Sequence, residues 1–360
     1  MLKKLLLLLV GCGCGLPAAA SSFPLCMYGV DNPHDLPLLK KAGFTCIQSY
    51  KREPETLAPL AQAARRYGLQ VLFYANKIIG SEHETAAQTW PVLAWYLVDE
   101  PDVARWSRER VIQTQENTRK SFPNHPTALV IGQGKTRVPY YDLADNLMMD
   151  WYPVPHLPLT SFGDNVRWAK EGQAALGAAQ RPLWGVVQIF NWKEYKQYRP
   201  DNDRIGRFPT QEEIRFMSYD GIVNGASGLF YFIFTTEGKP LPTAQPQWWK
   251  RVTAVSKELA KLRPVLEKGY QTENPLALPQ PLAAKTFAYK KHAYTILLNR
   301  SDRSVPVPEE LLSKKYKVLF GGPKTAEFSP YGVWVLKTSV QKVSKSAHFG
   351  SSPSRLQPQN

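Results

Sequence analysis

Between residue 23 and about residue 268 the chain alternates short apolar runs with amphipathic stretches of helical period. The apolar runs cover 23–30, 44–50, 70–76, 92–100, 128–132, 147–152, 183–190 and 228–234. Several are nearly continuous, as expected for parallel strands covered on both faces. The clearest helical stretches are 33–42, 54–67, 103–122, 166–178, 210–225 and 248–266. Asp102 stands where it would cap the fourth helix, and Thr210-Gln211-Glu212-Glu213 makes a capping box for the seventh.

Eight strand–helix units in about 250 residues predict an α/β fold, a (β/α)8 TIM barrel. An open doubly wound sheet is the alternative, but no G-x-G-x-x-G follows the first strand. Beyond Gly269 the texture changes to short strands at 282–289, 292–299, 316–320 and 333–336, joined by polar turns. These predict a small C-terminal β-sandwich with a structural role. The expected organisation is a signal peptide at 1–20, the barrel at 21–268, the sandwich at 269–338 and a disordered basic tail at 339–360.

Of the 360 residues 43% are hydrophobic, 12% aromatic and 21% charged, a balance that argues for a folded protein rather than a disordered one. The formal charge of +15 is scattered along the chain, without a basic helix, zinc-finger spacing or RNA-binding signature. No nucleic-acid partner is expected, and a groove for an acidic polysaccharide is the better use of that charge.

Lys3 and Lys4, the apolar 5–10 and the small residues through Ala20 read as an export signal. Two cleavages compete: after Ala20, releasing a soluble protein, or before Cys12, where Leu9-Val10-Gly11-Cys12 resembles a lipobox and a lipid would anchor the chain. Either route predicts an exported protein, periplasmic, secreted or lipid-anchored in a bacterial envelope, whose only membrane contact is that anchor. No later apolar run reaches the roughly 18–20 residues that span a bilayer. Cys26 and Cys46 would then meet an oxidising compartment and form one disulfide, or pack as two buried thiols on neighbouring strands. The packing habit of cysteine favours the thiols.

A TIM barrel carries its reactive groups at the C-terminal ends of the strands. There the sequence places Tyr50 and Lys51 with Arg52 (strand two), Tyr74 and Asn76 with Lys77 (strand three), and Asp99 and Glu100 (strand four). It continues with Asp150 and Tyr152 (strand six), Gln188, Asn191 and Trp192 (strand seven), and Tyr231 (strand eight). Aromatic rings stack on the apolar faces of pyranoses, and Asn, Gln and Tyr bond their hydroxyls. Lys51, Arg52 and Lys77 would suit uronate or sulfate groups through charge-assisted hydrogen bonds.

Trp95-Tyr96-Leu97-Val98-Asp99-Glu100-Pro101 resembles the W-Y-L-x-D-E-P segment of glycoside-hydrolase-like TIM barrels. Residues 215–228, ending before an aromatic strand, resemble the seventh helix and eighth strand of the same barrels. The resemblance implies an acid/base at the end of strand four, which falls on Glu100. Glycoside cleavage needs a protonated carboxyl at the leaving oxygen and a second group at the oxocarbenium-like centre. Apolar walls such as Trp95 would raise the Glu100 pKa enough to hold that proton.

Strand seven, where retaining barrels of this kind carry their nucleophile, offers no acid here. Asp150 is one substitute partner. Asp99 is another, provided the strand ends early enough for two neighbours to enter one site. Glu237, after strand eight, is the third. Metal sites, serine-esterase elbows and P-loops have no matching spacing, so no cofactor or metal is expected. The reading is an exported glycoside hydrolase acting on a polysaccharide or oligosaccharide. The alternative is a non-catalytic barrel that binds an envelope or extracellular polysaccharide.

Overall fold

The computed structural model describes residues 22–132, 139–195, 206–273 and 277–339. The segment read as an export signal, with Cys12, and all but the first residue of the expected 339–360 tail lie outside them. All eight apolar runs are strands: β1 (Leu25–Met27), β2 (Cys46–Gln48), β3 (Gln70–Tyr74), β4 (Val92–Tyr96), β5 (Thr127–Ile131), β6 (Asn146–Asp150), β7 (Leu183–Gln188) and β8 (Leu229–Phe232). Each pairs in parallel with the next, and β8 pairs with β1 to close the barrel. The helical stretches are α1 (Leu36–Lys41), α2 (Pro54–Arg66), the single turn α3 (Glu84–Ala87), α4 (Arg108–Ser121), α5 (Ser161–Ala175) and α6 (Gln211–Val223). A two-strand ribbon, β9 (Thr235–Thr236) and β10 (Lys239–Pro240), leads to α7 (Leu241–Ala244) and α8 (Pro246–Lys268).

Strand alternation divides the barrel's side chains into two cores. Cys26, Tyr28, Cys46, Leu72, Tyr74, Ala94, Tyr96, Ala128, Val130, Met148, Trp184, Val186 and Phe230 fill the inside. Their neighbours in sequence, among them Ile47, Phe73, Trp95, Leu129, Met149, Val187 and Tyr231, face the helices. The Thr210 capping box forms as expected, with the Glu213 N–H bonded to the Thr210 hydroxyl and the Glu213 carboxylate returning to the Thr210 N–H. The Asp102 cap does not form. The fourth helix begins at Arg108, capped by Ser107, and Asp102 instead accepts the Gly132 N–H at the end of β5.

A small β domain follows the barrel. Its sheet runs in the order β11 (Tyr270–Thr272), β12 (Leu282–Tyr289), β13 (His292–Asn299), β17 (Val333–Ser339) and β15 (Lys317–Phe320). Phe287, Ile296, Leu298, Val333 and Val335 join the core that the barrel helices share. The opposite face is covered by α9 (Glu309–Leu312) and the ribbon of β14 (Val305–Pro306) and β16 (Glu327–Phe328), around Trp334 and Leu336. Arg300, just after β13, bonds Asp220 of α6 at 2.8 Å and Asp164 of α5 at 3.0 Å. Burial pushes the Asp220 carboxyl up to about 7, against the pull of the Arg300 charge.

Cys26 and Cys46 are register partners on β1 and β2 and are joined as a disulfide inside the barrel, which corrects the buried-thiol reading. Two parallel neighbours at one register position bring the sulfurs together directly, with Cα atoms 4.5 Å apart. The bond closes a 20-residue separation, worth about 3 kcal/mol in restricted unfolded-chain entropy. Replacing both cysteines by alanine should lower the unfolding free energy in urea by about that amount or more. An unchanged midpoint and slope would mean that the bond contributes nothing to the fold.

Candidate active site

Glu100, Asp99 and Asp150 come together at the C-terminal mouth of the barrel. Strand β4 stops at Tyr96, so the alternation that would send Asp99 and Glu100 to opposite faces no longer applies. Glu100 sits at φ 42°, a left-handed conformation uncommon outside glycine, at the head of a turn closed by the Ala104 N–H on the Glu100 carbonyl. Its carboxyl packs against Gly132 at the end of β5. A Cβ there would come within 2.8 Å of Glu100 Oε1, so any larger residue would displace the acid.

Asp150, the last residue of β6, points inward with only 7% of its surface exposed. The Tyr152 hydroxyl donates to its Oδ2 at 3.2 Å, while its Oδ1 is buried without a hydroxyl or N–H donor. The Asp150 and Glu100 carboxyls lie within reach of each other, and Asp150 is the one placed to donate. Two carboxyls bond in this way only with a proton between them. Burial pushes Asp150 well up from the ordinary carboxylate range, and the charges of Glu100 and Asp99 push it further. Burial likewise raises Glu100, helped by Asp99 and Asp102 and opposed by the hydrogen bond from Asp150. The pair therefore retains one proton to a higher pH than an isolated carboxyl would.

Asp99 is open to solvent above and held by phenols on its flanks. Tyr96 donates to its Oδ1 at 2.6 Å, Tyr50 also bonds it, and the Tyr28 hydroxyl reaches Tyr96 at 3.4 Å. Enclosure by these groups raises the Asp99 carboxyl, while the two phenol bonds and the Arg52 charge pull it back down. Tyr74 packs on Tyr96 with centroids 4.8 Å apart and carries the Arg52 guanidinium on its other side, 4.3 Å from the ring centre. Lys51 is exposed on the same rim, whereas Lys77 is neutralised by Glu53 at 2.7 Å.

On the far side Tyr152 stacks on Phe232 at 5.4 Å, and Trp192 donates its indole N–H to the Tyr152 carbonyl at 3.2 Å. Asn191 stands at this rim, but its Oδ1 is occupied in capping the turn after β7 through the Lys193 N–H.

Four sequence expectations are corrected. Tyr231 is fully buried on the helix side of β8, with its hydroxyl 3.0 Å from that of Ser218, because Phe230 and Phe232 take the inward positions. Gln188 does point inward, but both ends of its amide bond the Val154 backbone at 2.8 Å, so it braces the loop after β6. Asn76 is exposed and lines an outer groove shared with Thr114, Asn117 and Ser121 of α4. Trp95 packs outward on Phe122 and Trp90, so the wall raising Glu100 is the barrel mouth itself.

Glu237 lies at the tip of the β9–β10 ribbon, outside the carboxyl group. Tyr28 and Tyr96 were missed by the sequence reading. The available signal was a tyrosine near the end of each of the first four strands: Tyr28, Tyr50, Tyr74 and Tyr96.

No protein-family model matches the chain, and no characterised protein matches it in sequence. Solved structures do match its fold. An α-amylase from Geobacillus thermoleovorans, complexed with acarbose, aligns over 90% of this chain and 100% of its own, with TM-score 0.54 and 11% identity. Eubacterium rectale Amy13B aligns over 90% and 97%, with TM-score 0.57 and 9% identity. A family 5 glycoside hydrolase from Bacteroides vulgatus aligns over 89% and 91%, with TM-score 0.57 and 14% identity. The chain thus shares the barrel fold of glycoside hydrolases.

The shared proton has a signed consequence. Asp150→Ala removes the hydrogen bond that pulls Glu100 down and leaves the enclosure that raises it, so the Glu100 pKa should rise. On a hydrolysed glycoside, the alkaline limb of the pH–activity profile should then move to higher pH. A limb that stays in place would show that Asp150 does not set the protonation of Glu100.

Proposed function

We propose that the chain is a glycoside hydrolase that cleaves O-glycosidic bonds in a polysaccharide or oligosaccharide, with Glu100 as its general acid. The observation that carries this reading is the gathering of Glu100, Asp150 and Asp99 at the mouth of a closed parallel barrel, walled by aromatic rings. Glu100 gives its proton to the leaving glycosidic oxygen as the bond to the anomeric carbon breaks. Water adds to that carbon, and its proton returns to the carboxyl group.

Glu100 and Asp150 lie within direct reach of each other, which leaves no room between them for the sugar and water that the about 5–5.5 Å of a retaining pair or the about 6.5–9.5 Å of an inverting one must hold. Asp150 therefore acts on Glu100 rather than on the sugar, holding the pair's proton and offering it to Glu100. Asp99, oriented by Tyr96 and Tyr50, is the carboxylate left to stabilise the developing positive charge.

Export fits the Cys26–Cys46 disulfide, a bond that persists in oxidising compartments, together with the charged and apolar character of residues 1–20. The absence of an acid on β7, with Gln188 committed to the Val154 backbone, favours the non-catalytic reading, a barrel that only binds polysaccharide. Glu100→Gln separates the two. Hydrolysis across neutral, acetamido and uronate polymers should fall by about 100- to 10,000-fold while binding persists. Binding without any wild-type turnover would select the non-catalytic barrel.

An acidic substrate is the finer proposal. Arg52 lies on Tyr74, without a carboxylate ion partner among the described residues, and Lys51 stands beside it. Arg52→Ala should lower kcat/KM on uronate-containing oligosaccharides by about tenfold and leave neutral ones within about twofold. Equal losses on both would remove the acidic preference.

A further inference from the structure

A second cleft of about 670 Å³ opens on the same C-terminal face, between the loops after β7 and β8. Tyr195 forms the wall between it and the mouth. Its ring lies 4.8 Å from Phe190 and 6.2 Å from Phe232, and Phe232 stacks on Tyr152, the residue that bonds Asp150. Rings thus run without a gap from the carboxyl pair to the cleft.

The cleft is built on fixed backbone. Glu237 (φ 50°) and Gly238 (φ 71°) are the two left-handed residues that a two-residue hairpin of matching twist requires, and they join β9 to β10. Glu194 ties this hairpin to the β7 loop, accepting the Thr236 hydroxyl at 2.5 Å and the Glu237 N–H at 3.2 Å. The side chains of Lys193, Glu237 and Gln245 also line the cleft and make no hydrogen bond to other described residues.

We propose that this cleft is a saccharide subsite for neutral, hydroxyl-rich sugar units of a chain whose scissile bond lies at Glu100. The inference rests on the glycosidase reading and gives it a chain-length requirement. Tyr195 and Phe208 supply ring faces for the apolar side of a pyranose, and Lys193, Glu237 and Gln245 supply donors and acceptors for its hydroxyls. Two carboxylates against one ammonium disfavour a uronate here, so an acidic unit belongs at the Arg52 rim and a neutral one at this end. The volume lies within the roughly 300–1,000 Å³ of ordinary ligand pockets, enough for more than one sugar ring. A substrate that fills both the mouth and the cleft is longer than a disaccharide.

The test measures binding and turnover separately. Malto-, xylo- and galacturono-oligosaccharides of two, four and six units are titrated calorimetrically into the Glu100→Gln protein. At least one neutral series should bind about tenfold or more tightly at four units than at two. Adding Lys193→Ala and Glu237→Gly should abolish that gain and leave disaccharide affinity unchanged. The glycine relieves the left-handed backbone, so the hairpin stays folded. Affinity that ignores chain length, binding to none of the three series, or a gain that survives the double change overturns the subsite. Wild-type turnover on the same ladders reports on the glycosidase reading by itself. A length-dependent affinity without hydrolysis would keep the cleft and discard the acid.

Discussion

Closure of eight parallel strands into a ring is the constraint on which the rest depends. Once β8 pairs with β1, every strand residue faces either a narrow interior or the helix layer, and a shift of one residue exchanges the two. In this chain the even-numbered strand residues go in, except at the start of β4, where a register shift puts Leu93 inside and Val92 outside. Cys26 therefore meets Cys46, Tyr28 meets Tyr96, and Asp150 enters the mouth, while Trp95 and Tyr231 are sent to the helices. The same rule ends where the strands end. Only because β4 stops at Tyr96 can both Asp99 and Glu100 turn toward one space.

Bringing Asp99, Glu100, Asp102 and Asp150 into one partly enclosed mouth works against electrostatics, since each disfavours ionisation of the others. The structure relieves this in three ways. Burial favours the neutral, protonated form of Asp150, phenol hydroxyls converge on Asp99, and the Gly132 N–H bonds Asp102. None of these devices places a full positive charge inside the barrel, and Arg52 stands at the rim. A neutralising cation beside Glu100 would drain the proton that an acid catalyst must keep. Burial, beside a carboxyl partner that is itself biased to the neutral form, leaves Glu100 raised.

The fold was legible because parallel strands buried on both faces are written as apolar runs, and all eight run positions held even where their ends moved by a few residues. The site was half legible. Glu100, Asp99, Asp150, Tyr50, Tyr74 and Tyr152 follow from the rule that chemistry sits at strand ends, but that rule does not say which way a side chain points. Tyr231 failed on parity, one residue from the inward Phe232. Gln188 failed because a buried amide bonds the nearest backbone polar groups, here those of Val154, before any ligand. The disulfide was the less favoured of two readings because residue spacing does not reveal register, and only parallel pairing at one position sets Cys26 against Cys46.

The position of the acids also limits what likeness to other barrels can say. Structures 9–14% identical to this chain share its ring of strands, and a ring of strands hosts many chemistries. Here the carboxyls gather on the β4 and β6 ends, whereas the β7 end carries an amide used as a brace. On the proposed reading a substrate is attacked from one side of the mouth and held from the other, where Tyr152, Phe232 and Tyr195 form a continuous aromatic wall. Polar chemistry facing a stacking surface across a gap suits a ligand with hydroxyl edges and apolar faces, which describes a pyranose better than a flat or wholly charged molecule.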